Sequence, residues 1–206
     1  MKVLVLGANG KTGSLVVERA LAKGHEVTAL VRDASEFKHE STRVVVGDAT
    51  NPADVLKAIE GNDAVIDTIG GPTPYKDTTL ERTAAHNVIE AMRAKNIRRL
   101  IVISMMGLGT SRTQAPFWYE HLLMPTFLRG STKDKAALEA EVSASELDFV
   151  IARPPILQDD PPTGSVTVLS DDDKGHEITR ADLAAFLVDQ LESDEYLGRA
   201  VTVANK

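Results

Sequence analysis

The chain has 206 residues, 43% of them hydrophobic and 26% charged, which is enough apolar material for one sizeable core and short for two. A formal charge of -7, with Lys and Arg scattered among acids, excludes the basic stripe that tracks a phosphate backbone and argues against nucleic acid as a partner. The absence of cysteine excludes disulfides, thiolate metal sites, iron-sulfur clusters and thiol nucleophiles.

In chain order, short β-branched runs alternate with helical stretches. "KVLVL" at 2–6 predicts a first strand, and a helical pattern over 11–23 follows, with Gly24 as its C′ residue. "EVTALV" at 26–31 and "RVVV" at 43–46 predict the next two strands. Asn51 and Pro52 read as an N-cap and a first-turn proline opening a helix over 52–60. "DAVIDT" at 63–68, a helix over 77–95, "RLIVIS" at 99–104, a helix over 132–146 and "DFVIA" at 148–152 continue the alternation. Such continuous apolar runs suit strands buried on both faces of a parallel sheet, so the fold class is α/β, a doubly wound parallel sheet in a single domain over 1–206.

Two segments break the alternation. Residues 105–130 hold a glycine-rich turn and then the only Trp beside Phe117 and Tyr119, a long apolar connection of the kind that serves as a functional or packing lid. Residues 154–179 carry "PPILQDDPPTG", a strand "SVTVL", an acidic turn "DDDKG" and "HEIT". A helix near 180–192 and a strand "AVTVA" at 200–204 close the chain. The start of the chain enters a strand at Lys2 without a cationic leader, and no stretch reaches 18 apolar residues, so the reading is a cytoplasmic protein with no membrane partner.

The first strand stops at Gly7, and Gly10 and Gly13 follow at spacings of three. In the first βα turn of a nucleotide-binding sheet one glycine permits the turn, a second lets the backbone approach a pyrophosphate and a third allows the helix to pack close to the strand. The spacing here is G-x-x-G-x-x-G instead of G-x-G-x-x-G, and its place between strand and helix favours a dinucleotide cradle over a bare structural turn. Arg32 ends the second strand where an acid would bind the ribose of NAD, and an arginine there accommodates the 2′-phosphate of NADP; it reads also as a solvated strand-end charge. Lys11 adds positive charge beside the same phosphates. Asp48, in "GDAT", stands where it could accept from an adenine amino group or simply begin a turn.

These residues together resemble an atypical short-chain dehydrogenase/reductase, most like the biliverdin-IXβ reductase and flavin reductase type and its bacterial NAD(P)H-binding relatives. The resemblance rests on "GANGKTG", "VTALVRD", "VVVGDATNPADV", "DAVIDTIGG", "IRRLIVIS", "ASELDFVIARPPIL" and "PPTGSVTV", in order over residues 2–169. It implies a Rossmann-like fold with small C-terminal substrate-side elements. It also implies NADP bound by Gly7, Asn9, Gly10, Lys11, Thr12, Gly13, Arg32, Asp48, Ala49, Ile69, Gly70, Ile103, Ser104, Pro155 and Ile156. Ordinary short-chain enzymes place Tyr-x-x-x-Lys after strand five, because reducing a carbonyl needs a proton donor at its oxygen. If Lys135 takes the lysine place, Ser131 takes the tyrosine place, and no phenol is there. Where biliverdin-type reductases carry a histidine after the Pro-Pro turn, this chain has Ile156.

Ser104 and Lys135 are the catalytic candidates. Ser104 ends strand five in the place of the short-chain enzymes' serine, where it holds nicotinamide or substrate oxygen or is only a turn residue. Lys135 either reaches the cofactor or forms a surface pair with Glu139 at i, i+4. Trp118 and Tyr119 line a nicotinamide pocket, pack a lid or make a dimer contact. His25, His39, His86, His121 and His176 show no ligand spacing, and Asp171 to Asp173 before Gly175 read as a solvated turn, so no metal is expected. A conjugated acceptor such as a flavin or quinone can take its proton from solvent, so the expected function is an NADPH-dependent reductase of such a ring, as a monomer or homodimer. A non-catalytic NADP(H) sensor is the alternative, and a sugar-nucleotide epimerase fits least because it wants the tyrosine.

Overall fold

The computed structural model describes residues 1–71 and 73–205. Its strands are β1 (Lys2–Leu6), β2 (Glu26–Val31), β3 (Arg43–Val46), β4 (Ala64–Asp67), β5 (Arg99–Ile103), β6 (Asp148–Arg153), β7 (Ile156–Gln158), β8 (Val166–Val168), β9 (Glu177–Thr179) and β10 (Arg199–Asn205). Its helices are α1 (Lys11–Ala22), α2 (Pro52–Ala58), α3 (Leu80–Lys95), α4 (Arg129–Ser143) and α5 (Arg180–Asp189). Eight strands form one sheet in the order β3-β2-β1-β4-β5-β6-β10-β8, parallel throughout except for β8, which runs antiparallel along β10. This is the Rossmann-like α/β fold.

Alternation along each strand divides the core in two. Val3 and Val5 of β1 pack with α1 and α5, while Leu4 and Leu6 pack with α2, α3 and α4. Because both faces are covered, all four residues are fully buried, and the strand reads as an unbroken apolar run instead of an alternating one. The Asn51 side chain accepts from the Ala53 N–H at 3.0 Å, capping α2 with Pro52 in its first turn.

The substrate-side segments differ from the expectation in detail. Residues 105–130 fold into a 3-10 turn at Gly109–Arg112 and a single π turn at Tyr119–Leu123, and α4 begins at Arg129 instead of 132. Met105, Met106, Leu108, Ala115, Tyr119 and Met124 give this segment a small core of its own. Within residues 154–179, β7 and β9 form a separate two-stranded parallel ribbon that was not expected. Three residues per strand are too few to display a period in the sequence.

The strand order reverses direction of growth at β1, with β2 on one side and β4 on the other. Outside the carboxyl ends of these two strands lies the crevice that open α/β sheets use for ligands.

Candidate functional site

A cavity of about 290 Å³ occupies that crevice, lined by Gly7, Asn9 and Gly10 from the first loop, Arg32 and Asp33 after β2, Asp48 and Ala49 after β3, and Thr68, Ile69 and Gly70 after β4. Gly7 has φ +74, a conformation that side chains strain to adopt, and the turn brings its carbonyl onto the Gly10 N–H at 2.8 Å. A Cβ on Gly13 would lie 2.1 Å from the Gly7 carbonyl oxygen and 2.7 Å from Thr68 Oγ1, so the third glycine is required by the contact of α1 with the strand ends. Gly10 is different: a Cβ there would meet only Gly7 O, at 3.1 Å, and otherwise open space.

Gly10 is also the N-cap of α1, with no side chain capping the helix and no acid in its first turn. The first-turn N–H groups of Lys11, Thr12 and Gly13 are therefore free to receive an anion at the positive end of the helix dipole. A diphosphate fits this donor set, and the bare Cα of Gly10 leaves it room. Lys11 does not turn toward that space. Its ammonium lies 2.5 Å from Asp159, whose other oxygen is 2.5 Å from Arg180, so one exposed carboxylate ties the starts of α1 and α5 to the segment after β7. The Lys11 hydrogen bond holds the Asp159 carboxyl below its ordinary range.

At the other end of the cavity Arg32 is solvent-exposed on the wall, and it belongs to no ion pair among the described residues. Asn9 Nδ2 donates to the Asp33 carbonyl at 3.0 Å, fixing the glycine loop to the end of β2. Asp48 Oδ1 accepts from both the N–H and the hydroxyl of Thr50 at 2.8 Å, and the Thr50 N–H is the main cause holding its carboxyl below the ordinary range, with Arg32 adding to it. Asp48 thus makes the turn and still lines the cavity.

The catalytic candidates stand beside the cavity, not in its wall. Ser104, at the end of β5, is 2% exposed, donates its N–H to the Ala152 carbonyl at 2.7 Å, and has a hydroxyl without a partner. Lys135 does not pair with Glu139. Its Nζ lies 2.7 Å from Glu81 Oε2 of α3 and donates to the Ile103 carbonyl at 3.2 Å. Glu139 is taken instead by Arg153 of β6, in a two-pronged buried pair at 2.9 and 2.6 Å in which the guanidinium fork matches the carboxylate, while Arg153 Nη1 donates to Thr110 Oγ1 at 3.1 Å. The residue before the lysine works on the same helix pair: the Asp134 carboxylate accepts from the N–H groups of Glu81 and Arg82 at 2.9 and 3.1 Å, capping α3 from α4. Glu81 Oε1 accepts from Gly71 N–H at 2.8 Å, which ties the loop after β4 to the same group. A continuous polar path therefore runs from Gly71, next to the cavity wall at Gly70, through Glu81 and Lys135 to the backbone preceding Ser104.

Asp67, the last residue of β4, joins this group and was not anticipated. It is 2% exposed, Oδ1 accepts from the Ile69 N–H at 2.9 Å, and burial pushes its carboxyl up to about 7 despite that bond and the nearby Lys135. No local pattern marks Asp67, Glu81 or Asp134. Glu81 and Asp134 have a role only through partners from other elements, Asp67 bonds locally to the Ile69 N–H, and the sequence signal is that acids sit where apolar strand or helix-face residues are due.

The remaining predicted residues are distributed more widely. Ile103 points its side chain into the α1 and α5 core, and only its carbonyl serves the polar path. Ile156 packs against the small core of the 105–130 segment, and Pro155 is buried beside it; neither lines the cavity. Tyr119 also packs in that small core, where burial raises its phenol to about 12, and Trp118 stacks edge-on to it at 5.8 Å between centroids. Of the three possibilities for this pair, the packed lid is the one formed for Tyr119. Among the described residues no three His, Cys, Asp or Glu side chains are grouped as metal ligands, and no helix is long and apolar enough to cross a membrane.

The chain is 31% identical to an uncharacterized chloroplastic protein of Arabidopsis thaliana, over 98% of this chain and 76% of that protein. It is 30% identical to an uncharacterized sugar epimerase of Bacillus subtilis, over 97% of this chain and 92% of the relative. Among solved structures, ChuY, an anaerobillin reductase from Escherichia coli O157:H7, superposes with a TM-score of 0.82 at 24% identity, covering 100% of this chain and 97% of the other, which shows a shared fold. The sequence profile of a family described as NAD(P)H-binding matches residues 7–194, and the chain belongs to that family.

Proposed function

We propose that the protein is an NADPH-dependent reductase whose acceptor is a flavin, a quinone or a similar conjugated ring. NADPH, when bound, supplies the hydride. The chain's own part begins with binding: the first-turn N–H groups of α1 and the open Cα of Gly10 receive the diphosphate, and Arg32 offers charge-assisted hydrogen bonds to a 2′-phosphate. Ile69 and Gly70 line the cavity after β4, and the unpartnered hydroxyl of Ser104 at the end of β5 orients the bound groups.

One observation carries the choice of acceptor. The polar group beside the cavity has no phenol, since Ser131 stands a turn before Lys135, and the Lys135 ammonium is held by Glu81 and the Ile103 carbonyl. A simple ketone would leave an alkoxide that needs an acid in place, whereas a delocalised ring accepts hydride and is protonated by solvent. Purified protein should therefore oxidise NADPH with free flavin or a small quinone and be nearly inert toward ketones and aldehydes. Ser104→Ala should lower kcat roughly 10-fold, about 1.4 kcal/mol. Efficient ketone reduction that collapses in Lys135→Ala would overturn the reading.

A second reading, a non-catalytic NADP(H) sensor, is favoured by one feature. Phe117, Leu122 and Phe127 of the 105–130 segment are 76%, 65% and 53% exposed, and exposed apolar side chains gathered in one segment are of the kind a partner protein covers. Tight NADPH binding with no turnover of any acceptor would select it.

A further inference from the structure

Among the described residues, two buried oxygens on one face of the sheet have no hydrogen-bond partner, not even each other: Asp67 Oδ2 and Ser104 Oγ. They stand on neighbouring strands. Asp67 is paired with Val102 in the β4–β5 register, and Ser104 follows Val102 by two residues, so both side chains leave the same face as diagonal neighbours. Diagonal neighbours in a sheet are about 7–8 Å apart between Cα atoms, and their side chains can close most of that gap.

The surroundings decide which form of Asp67 fits. The charged groups that act on it are Lys135 of α4 and Glu81 of α3. The Lys135 ammonium is engaged by Glu81 at 2.7 Å and by the Ile103 carbonyl at 3.2 Å, and Asp134 of α4 is turned to the backbone of α3. From β1 the facing residue is Leu6, which is apolar. Among the described residues no cation is left over for a second carboxylate, and an ionised Asp67 would be buried with Oδ2 unsatisfied. The uncharged acid has an O–H to donate, and Ser104 Oγ is the unsatisfied oxygen on its own face.

We propose that Asp67 is a positioning residue that sets the direction of the Ser104 hydroxyl. As an uncharged acid it donates to Ser104 Oγ, which leaves the serine hydrogen free to point outward at the carboxyl edge of the sheet. As a carboxylate it takes the serine hydrogen, and the donor turns inward. The proposal deepens the reductase reading, since it makes the service of Ser104 to the bound groups depend on one proton. With burial pushing Asp67 up to about 7, that dependence falls near neutral pH.

The test has an arm that needs no cofactor and no acceptor. Infrared difference spectra of the full chain, taken while pH is raised from 5 to 9, should show the band of an uncharged carboxylic acid that disappears around pH 7. The band should be missing in Asp67→Asn and displaced in Ser104→Ala, where the acid loses its acceptor. An absent band at pH 5, a band that survives in Asp67→Asn, or one unmoved in Ser104→Ala overturns the proposal. Melting supports the same point. A carboxyl raised in the folded state contributes stability that is present below its unfolded value near 4 and is lost as pH rises through about 7, so the parent should lose ground to Asp67→Asn over that window.

The second arm uses NADPH and a quinone. The parent kcat should fall about 10-fold on the basic side of pH 7, the size set by loss of the Ser104 donor. Asp67→Asn, whose amide donates at every pH, should remove that fall, and Ser104→Ala should be low and flat. Equal basic limbs in the parent and Asp67→Asn overturn the proposal. Should no acceptor be reduced at all, the reductase reading fails, and the displacement of the infrared band alone decides the Asp67 to Ser104 contact.

Discussion

The glycine loop and the 105–130 segment border the same end of the sheet and are built by opposite means. The loop is backbone: three glycines, a φ of +74 at Gly7, and a helix end with no side chain on it. The later segment is side chains, with methionines and Tyr119 closing a small core beneath exposed aromatic residues. A surface made of backbone tolerates no added atom at its tight points and presents the same donors whatever the neighbouring side chains are. A surface made of methionine and aromatic groups can change composition while keeping its packing. The contrast suits a protein that holds one fixed ligand on the first surface and adapts to another on the second.

Substitutions can break this comparison, beginning with the largest effect. Gly13→Val should destabilise the fold by more than about 3 kcal/mol, because a Cβ 2.1 Å from the Gly7 carbonyl forces α1 away from the strand ends. Thermal unfolding measures it, and a melting temperature near that of the parent would show that the loop is not rigid. Gly10→Val should leave circular dichroism intact and weaken cofactor binding at least about 100-fold, roughly 2.7 kcal/mol, since the new side chain fills the open space at the α1 N-terminus. Binding like the parent's would make the loop a turn and nothing more.

Smaller effects sharpen the contrast. Arg32→Ala should weaken NADPH by about 10- to 100-fold, roughly 1.4–2.8 kcal/mol, and leave NADH little changed. Titration of both reduced cofactors decides it, and an unchanged preference would return Arg32 to a solvated strand-end charge. Leu122→Ser, on the outer side of the later segment, should move stability by no more than about 0.5 kcal/mol while raising KM for a conjugated acceptor. A large fall in stability there would mean that the exposed residues belong to the packing after all.

What could be read in the sequence follows the same division. β1, β2 and β3 have the bounds their apolar runs predict, and the cavity collects Gly7, Asn9, Gly10, Arg32, Asp48, Ala49, Ile69 and Gly70 as residues at strand ends. These features are set by neighbours within a few positions, so a local pattern reports them. The pairing of Lys135 with Glu139 was the local expectation, and it gives way to partners 54 and 14 residues distant in sequence, Glu81 and Arg153. Asp134 capping a helix to which it does not belong arises in the same way. Tertiary packing overrides the i, i+4 preference because leaving a buried charge without a partner costs far more than an exposed helix pair contributes.

The bridge made by Asp159 has a mechanical consequence. It fastens the strap between β7 and β8 to the rim of the cleft at two points, Lys11 on one side and Arg180 on the other. The Lys11 side is exposed and contributes little, and salt screens it further. A diphosphate seated at the start of α1 would draw Lys11 to itself, while Arg180 keeps Asp159 and Asp182 keeps Thr163 and Gly164, so the strap stays fastened on the α5 side. Loading the cleft would thus release only the Lys11 tether of the strap and leave its α5 anchorage in place.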